Sequence, residues 1–192
     1  MNKSILNKRI LPFALSLIVI FSSNGCNQMS EIVKEESVGM NGRFEITESG
    51  LPVNWYFYTQ NTIKSGDYEL IIDTSTYKDG KQSLKFLVHE YPTEPGSRSH
   101  GMFKEFDASP GESLLVSLWI KNKGTEFLIK AGGVSAFEGD VKTIINSDET
   151  IDEWKQIEFT YLMPSAFERL RIELLILSSG SFWIDDIRIE RN

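Results

Sequence analysis

The chain has 192 residues, 41% hydrophobic and 24% charged, which is apolar surface enough for one packed domain. Twenty Lys and Arg stand against 27 Asp and Glu, a formal charge of −7. That balance tells against nucleic acid as a partner, since binding it takes a basic face that displaces counterions. The 4 Trp, 6 Tyr, 12 Phe and 14 Gly favour strands and turns over helices.

Residues 1–25 begin with Lys3, Lys8 and Arg9 and run into the apolar stretch Ile10 to Phe21. This is shorter than the ~20 residues of a membrane-spanning helix. Basic, then apolar, then small residues is the order of a secretory signal. The stretch ends Ser22-Ser23-Asn24-Gly25-Cys26, and Cys26 is the only cysteine. It resembles a bacterial lipobox, which implies cleavage before Cys26, its lipidation, and anchoring in the cell envelope, with the outer membrane as the expected address. An ordinary signal peptide followed by an incidental cysteine is the alternative. Cleavage there leaves 17 basic against 27 acidic residues, a charge of −10. Residues 26–40 carry Glu31, Glu35 and Glu36 with no apolar period and read as a flexible tether. The folded domain is expected over 41–192.

Across that domain short apolar runs alternate with turn signals. The predicted strands are 42–47, 54–60, 67–76, 81–91, 101–107, 113–122, 125–131, 141–145, 153–163, 168–177 and 181–190, with breaks at Asp79-Gly80, Ser109-Pro110-Gly111, Gly132-Gly133 and Ser178-Ser179-Gly180 among others. So many short strands at even spacing predict an all-β antiparallel sandwich or barrel. Alternation assigns faces. Leu114, Val116, Leu118 and Ile120 oppose Leu115, Ser117, Trp119 and Lys121; Leu170, Ile172, Leu174 and Ile176 oppose Arg171, Glu173, Leu175 and Leu177. The last strand, 181–190, carries Asp185-Asp186, and a carboxylate in an apolar strand needs a cation or donors to hold it. Strict alternation puts Asp185 with Trp183, Ile187 and Ile189.

Several segments resemble one family in order and spacing: Asn41-Gly42-Arg43-Phe44-Glu45, Gly50-Leu51-Pro52-Val53-Asn54-Trp55, Asp79-Gly80-Lys81, Ser117-Leu118-Trp119-Ile120-Lys121, Glu153-Trp154-Lys155 and Phe182-Trp183-Ile184-Asp185-Asp186. Together they resemble the galactose-binding-like jelly rolls, in particular carbohydrate-binding modules of the family 4, 9 and 22 type. The resemblance covers nearly all of 41–192 and implies an antiparallel β-sandwich of jelly-roll form. It also implies a structural calcium (Ca2+) at one end, with Gly42, Glu45, Asp79 or Lys81, and Asp185 or Asp186 as candidate ligands. Calcium takes six to eight oxygens from carboxylates and carbonyls. The alternative is that Asp185 accepts hydrogen bonds from backbone N–H groups with no metal.

A sugar site needs flat aromatics with polar groups around them. Trp119 is the candidate platform, with Lys121 beside it; Tyr56 and Tyr58 share the face opposite Trp55 and Phe57 and are expected to be exposed. Arg171, Glu173, Glu158, Lys85 and His89 could add polar contacts, and the loop Tyr91 to His100 could overhang a groove. Trp55 and Trp154 read as packing residues. The expected function is non-catalytic binding of a polysaccharide or oligosaccharide by a surface lipoprotein. A protein-binding or adhesion platform is the alternative. A glycoside hydrolase, using Glu158 and Glu173 facing each other across strands, is less favoured: no Gly-x-Ser-x-Gly or His-Glu-x-x-His occurs, and His89 and His100 are the only histidines.

Overall fold

The computed structural model describes residues 39–58, 66–92 and 99–191. The proposed signal, Cys26 and most of the tether lie outside these residues, as does the middle of the Tyr91 to His100 loop. Two five-stranded antiparallel sheets pack face to face. One has the order β10-β7-β12-β5-β4, where β4 is Asp67–Asp73, β5 Ser83–Glu90, β7 Ser113–Lys123, β10 Ile151–Leu162 and β12 Gly180–Arg191. The other has the order β3-β6-β11-β8-β9, where β3 is Tyr56–Phe57, β6 His100–Asp107, β8 Phe127–Val134, β9 Lys142–Ser147 and β11 Arg169–Ile176. A small ribbon pairs β1 (Thr47–Glu48) with β2 (Leu51–Pro52).

The inward faces are those that alternation assigns. Leu114, Val116, Leu118 and Ile120 from β7 and Leu170, Ile172, Leu174 and Ile176 from β11 meet in one core with Leu84, Phe86, Phe127 and Phe182. Trp55 is buried in that core, whereas Trp154 is only half-buried and stands outside it. Tyr161, on the edge strand β10, reaches across to accept a hydrogen bond from Gly133 N–H at 2.8 Å, tying the two sheets together at one side.

Three local readings are corrected. Residues 42–47 do not form a strand. Asn41 and Phe44 take positive φ values of 46° and 58°, and the segment folds around the Asn41 amide. That amide donates to the carbonyls of Ile46 (2.7 Å) and Val53 (2.9 Å) and accepts from Ile46 N–H. Gly132-Gly133 is no break but lies within β8, just before its last residue Val134. A Cβ on Gly132 would lie 2.2 Å from the Asp140 carbonyl oxygen, and one on Gly133 2.4 Å from the Phe167 ring. The pair is there because other parts of the chain press against the strand at both positions. Finally, β12 contains a bulge. Asp185 pairs with Trp119 but the next partnered residue is Arg188, opposite Ser117, and Asp186 has φ 47°. One extra residue reverses the alternation. Ile187 and Ile189 therefore turn inward with Phe182 and Ile184, while Asp185 stays with Trp183 on the outer side.

Candidate functional site

The outer face of the β3-β6-β11-β8-β9 sheet gathers side chains from four strands. Tyr56 on β3 pairs with Phe103 on β6. On β11, Glu173 lies between Phe103 on β6 and Lys130 on β8, and Arg171 lies between Glu105 and Gly132. Alternation along each strand puts Tyr56, Phe103, Glu105, Arg171, Glu173 and Lys130 on this one face. From β3 to β8 is three strand spacings, about 14 Å.

Tyr56, 63% exposed, stacks on Phe103 with ring centroids 5.1 Å apart and an 18° interplanar angle. The Arg171 guanidinium lies over the Phe103 ring, 3.8 Å from its centroid, and its Nη2 donates to the Tyr58 hydroxyl at 3.0 Å. The same hydroxyl donates to the Glu173 carboxylate. Contrary to the expectation, Tyr58 is 8% exposed. Burial, reinforced by the Glu173 carboxylate that its proton bonds, pushes the Tyr58 hydroxyl up to about 12. Arg171 also faces Glu105 and Glu173, each at 3.6 Å; Arg169 pairs with Glu105 at 2.6 Å and Lys130 with Glu173 at 3.8 Å. The result is an exposed Tyr56 ring stacked on a half-buried Phe103, beside a network of held charges. The chain after β8 folds back to lie directly over Gly132, next to Arg171, and walls the face on that side.

Tyr56, Tyr58, Arg171 and Glu173 are thus brought together. Phe103, Glu105, Lys130 and Arg169 complete the face and were not singled out in the sequence; their strands are legible, but which strands are neighbours is not. Trp119, Lys121 and His89 lie elsewhere, on the β10-β7-β12-β5-β4 sheet. There the Lys78 amine sits 3.9 Å over the Trp119 ring, Lys121 pairs in register with Trp183, and His89 Nε2 is 3.0 Å from Glu69. Glu158 is on β10 of this sheet, opposite Ser117, so it cannot face Glu173: the two point from opposite outer sides of the sandwich.

The candidate calcium ligands do meet at one end. Ile187 N–H donates to the Gly42 carbonyl at 3.0 Å, bringing the opening segment against the β12 bulge. Yet the acids are engaged by donors. Asp185 accepts from the N–H groups of Lys78 (2.7 Å), Asp79 (3.0 Å) and Asp186 (2.7 Å). Glu45 accepts from the N–H groups of Lys81 (2.7 Å) and Gln82 (3.2 Å). Arg188 bonds Asp186 at 2.7 Å and Asp79 at 3.2 Å. Among the described residues no group of three or more His, Cys, Asp or Glu converges as a metal shell would. An array of N–H donors and a guanidinium around these carboxylates does not fit a calcium ion, which needs oxygens there. Asp185 is fully buried, and burial pushes its carboxyl up to about 6 against the opposing pull of its three N–H donors.

No family model matches the chain, and no curated protein matches it. Solved structures do. A family 22 carbohydrate-binding module of Clostridium thermocellum Xyn10B is 18% identical, with 77% of this chain and 89% of that one covered and a TM-score of 0.54. A family 4 carbohydrate-binding module is 14% identical, with 80% of this chain and 99% of that one covered, again at a TM-score of 0.54. The fold is the jelly-roll β-sandwich that these modules share. The same enzyme's CBM22-1–GH10 piece, solved with xylohexaose, is 20% identical at a TM-score of 0.54; it is covered over 72% of this chain, which spans only 26% of that larger chain. At these identities the likeness concerns the jelly roll and not its ligand.

Proposed function

We propose that this jelly roll binds a polysaccharide, without cleaving it, on the outer face of the β3-β6-β11-β8-β9 sheet. The observation that carries the reading is the Tyr56–Phe103 stack set beside Tyr58, Arg171 and Glu173. Aromatic faces take the apolar side of a pyranose, and the neighbouring carboxylate and guanidinium are held rigid, so little side-chain freedom is lost when hydroxyls bind them. A span of about 14 Å across the strands suits several sugar units in a row. Family 22 neighbours of this fold are described as xylan-binding, which makes xylan the first ligand to try.

Binding without hydrolysis is favoured because the carboxylates of this face are already committed. Glu105 is held by Arg169 and Arg171, and Glu173 by Tyr58, Arg171 and Lys130. Neither acts as a free acid poised across a bond. His89 and His100 are both away from it, His100 buried against Tyr68 with ring centroids 4.1 Å apart. Lipidation at Cys26 would hold the module at the envelope, on the outer membrane, as a glycan-capturing lipoprotein.

The test is affinity electrophoresis through gels containing xylan, β-glucan or mannan. The wild type is expected to be retarded by at least one, with Phe103→Ala and Tyr56→Ala running freely and His89→Ala unchanged. No retardation in any gel, with a partner protein co-purifying instead, would replace this reading by the adhesion platform.

A further inference from the structure

The face of Trp119 is left over by that reading, and it has its own groove. It encloses about 460 Å³ and is lined by Lys78, Ser117, Trp119, Gln156, Glu158 and Glu190 among others. The strand register explains the shape. Gln156 and Asp185 flank Trp119, and Glu158 and Arg188 flank Ser117, so a small residue beside the indole leaves a depression between longer neighbours.

The chemistry is one-sided. Arg188 is neutralised within the wall by Asp186 and Asp79. Among the described residues, the side chains of Ser117, Gln156, Glu158 and Glu190 make no hydrogen bond or ion pair. Two uncompensated carboxylates and two free polar groups therefore surround one aromatic face. The chain's own response is visible: the Lys78 amine already rests on the indole, 3.9 Å from its centroid, and among the described residues no carboxylate pairs with it. Lys78 belongs to the exposed loop whose backbone Asp185 anchors, so its side chain can swing away while the loop stays.

We infer that this groove is a second ligand site, for a saccharide bearing a primary amine, with Trp119 as the platform, Glu158 and Glu190 as the countercharges, and Lys78 as a displaceable internal occupant. An ammonium on a sugar ring replaces the Lys78 ammonium over the indole and brings hydroxyls to Gln156 and Ser117. The two sites lie on opposite outer faces of the sandwich, so one protein could bridge two glycan chains. The second site does not depend on the first.

The experiment is calorimetric titration of the protein with a β-1,4-linked glucosamine hexamer and with its N-acetylated counterpart, which has the same backbone and no charge. The amine form is expected to bind at least tenfold more tightly. Lys78→Ala should tighten it about two- to fivefold, the value of a surface cation–π contact. Glu158→Gln and Trp119→Ala should weaken it, the glutamine variant serving if the alanine variant does not fold, and Phe103→Ala should leave it unchanged. Equal affinity for both hexamers, no binding of either, no response to Lys78→Ala, or loss of binding in Phe103→Ala would each overturn the assignment.

Discussion

Replacing Tyr58 by Phe tests whether the charge network of the proposed glycan face also holds the fold together. The substitution keeps the ring, whose centroid is 5.7 Å from that of Phe103, and removes only the hydroxyl. Glu173, 8% exposed, then loses its direct donor; its remaining partners Lys130 and Arg171 stand at 3.8 and 3.6 Å. Arg171 loses an acceptor at 3.0 Å. A hydrogen bond to a charged group is worth about 1.5–3 kcal/mol net, so the expected loss is about 2 kcal/mol. At about 2–4 °C per kcal/mol for a chain of this size, the Tm falls by about 4–8 °C. Repeating the change in a Glu173→Gln background turns a charged hydrogen bond into a neutral one. There Tyr58→Phe should cost about 1 kcal/mol, a coupling of about 1 kcal/mol between the two residues. Urea unfolding followed by Trp fluorescence, with the m-value unchanged, measures all four proteins. A single-variant loss below about 0.5 kcal/mol, or the same loss in both backgrounds, would refute the reasoning.

Gly42→Ala should be among the most damaging single changes. Its Cβ would stand 2.0 Å from the Ile187 carbonyl oxygen, so the opening segment must part from β12 and strain the 3.0 Å bond from Ile187 N–H. Overpacking and the weakened bond together predict a loss of about 2–4 kcal/mol by denaturant unfolding; a neutral result would mean the two segments are not apposed. Asp185 gives a pH signature. Its folded value of about 6 lies above the ordinary 3.8, so between about pH 4 and 6 the folded chain keeps a proton that the unfolded chain has released. Its contribution therefore declines as the pH rises through that window, by up to about 3 kcal/mol, and the slope should be absent in Asp185→Asn. EDTA or added calcium should leave the Tm unchanged, because N–H donors and Arg188 already satisfy Asp185, Glu45 and Asp186. A rise of several degrees with calcium would show the loop at 78–82 turning its carbonyls inward instead.

Much of this protein is legible from local pattern. Alternation has a period of two residues and is written within each strand, so the inner face of β7 and β11, and with it the all-β sandwich, follow from Leu114 to Ile120 and Leu170 to Ile176 read alone. For the same reason Tyr56 shares a side with Tyr58, and Arg171 with Glu173. What alternation does not encode is which strand lies beside which. Only the packed sheets bring Phe103 between Tyr56 and Glu173, add Lys130 from β8, and send Glu158 to the far side of the molecule. Asp186 and Gly132 show the second limit. A single residue at positive φ reverses the alternation of β12, and a glycine pair stays in its strand because distant chain lies against it. The hydrophobic period is a property of neighbours in sequence; sheet order, bulges and close backbone approaches are set by contacts between residues far apart in the chain, which exist only once it has folded.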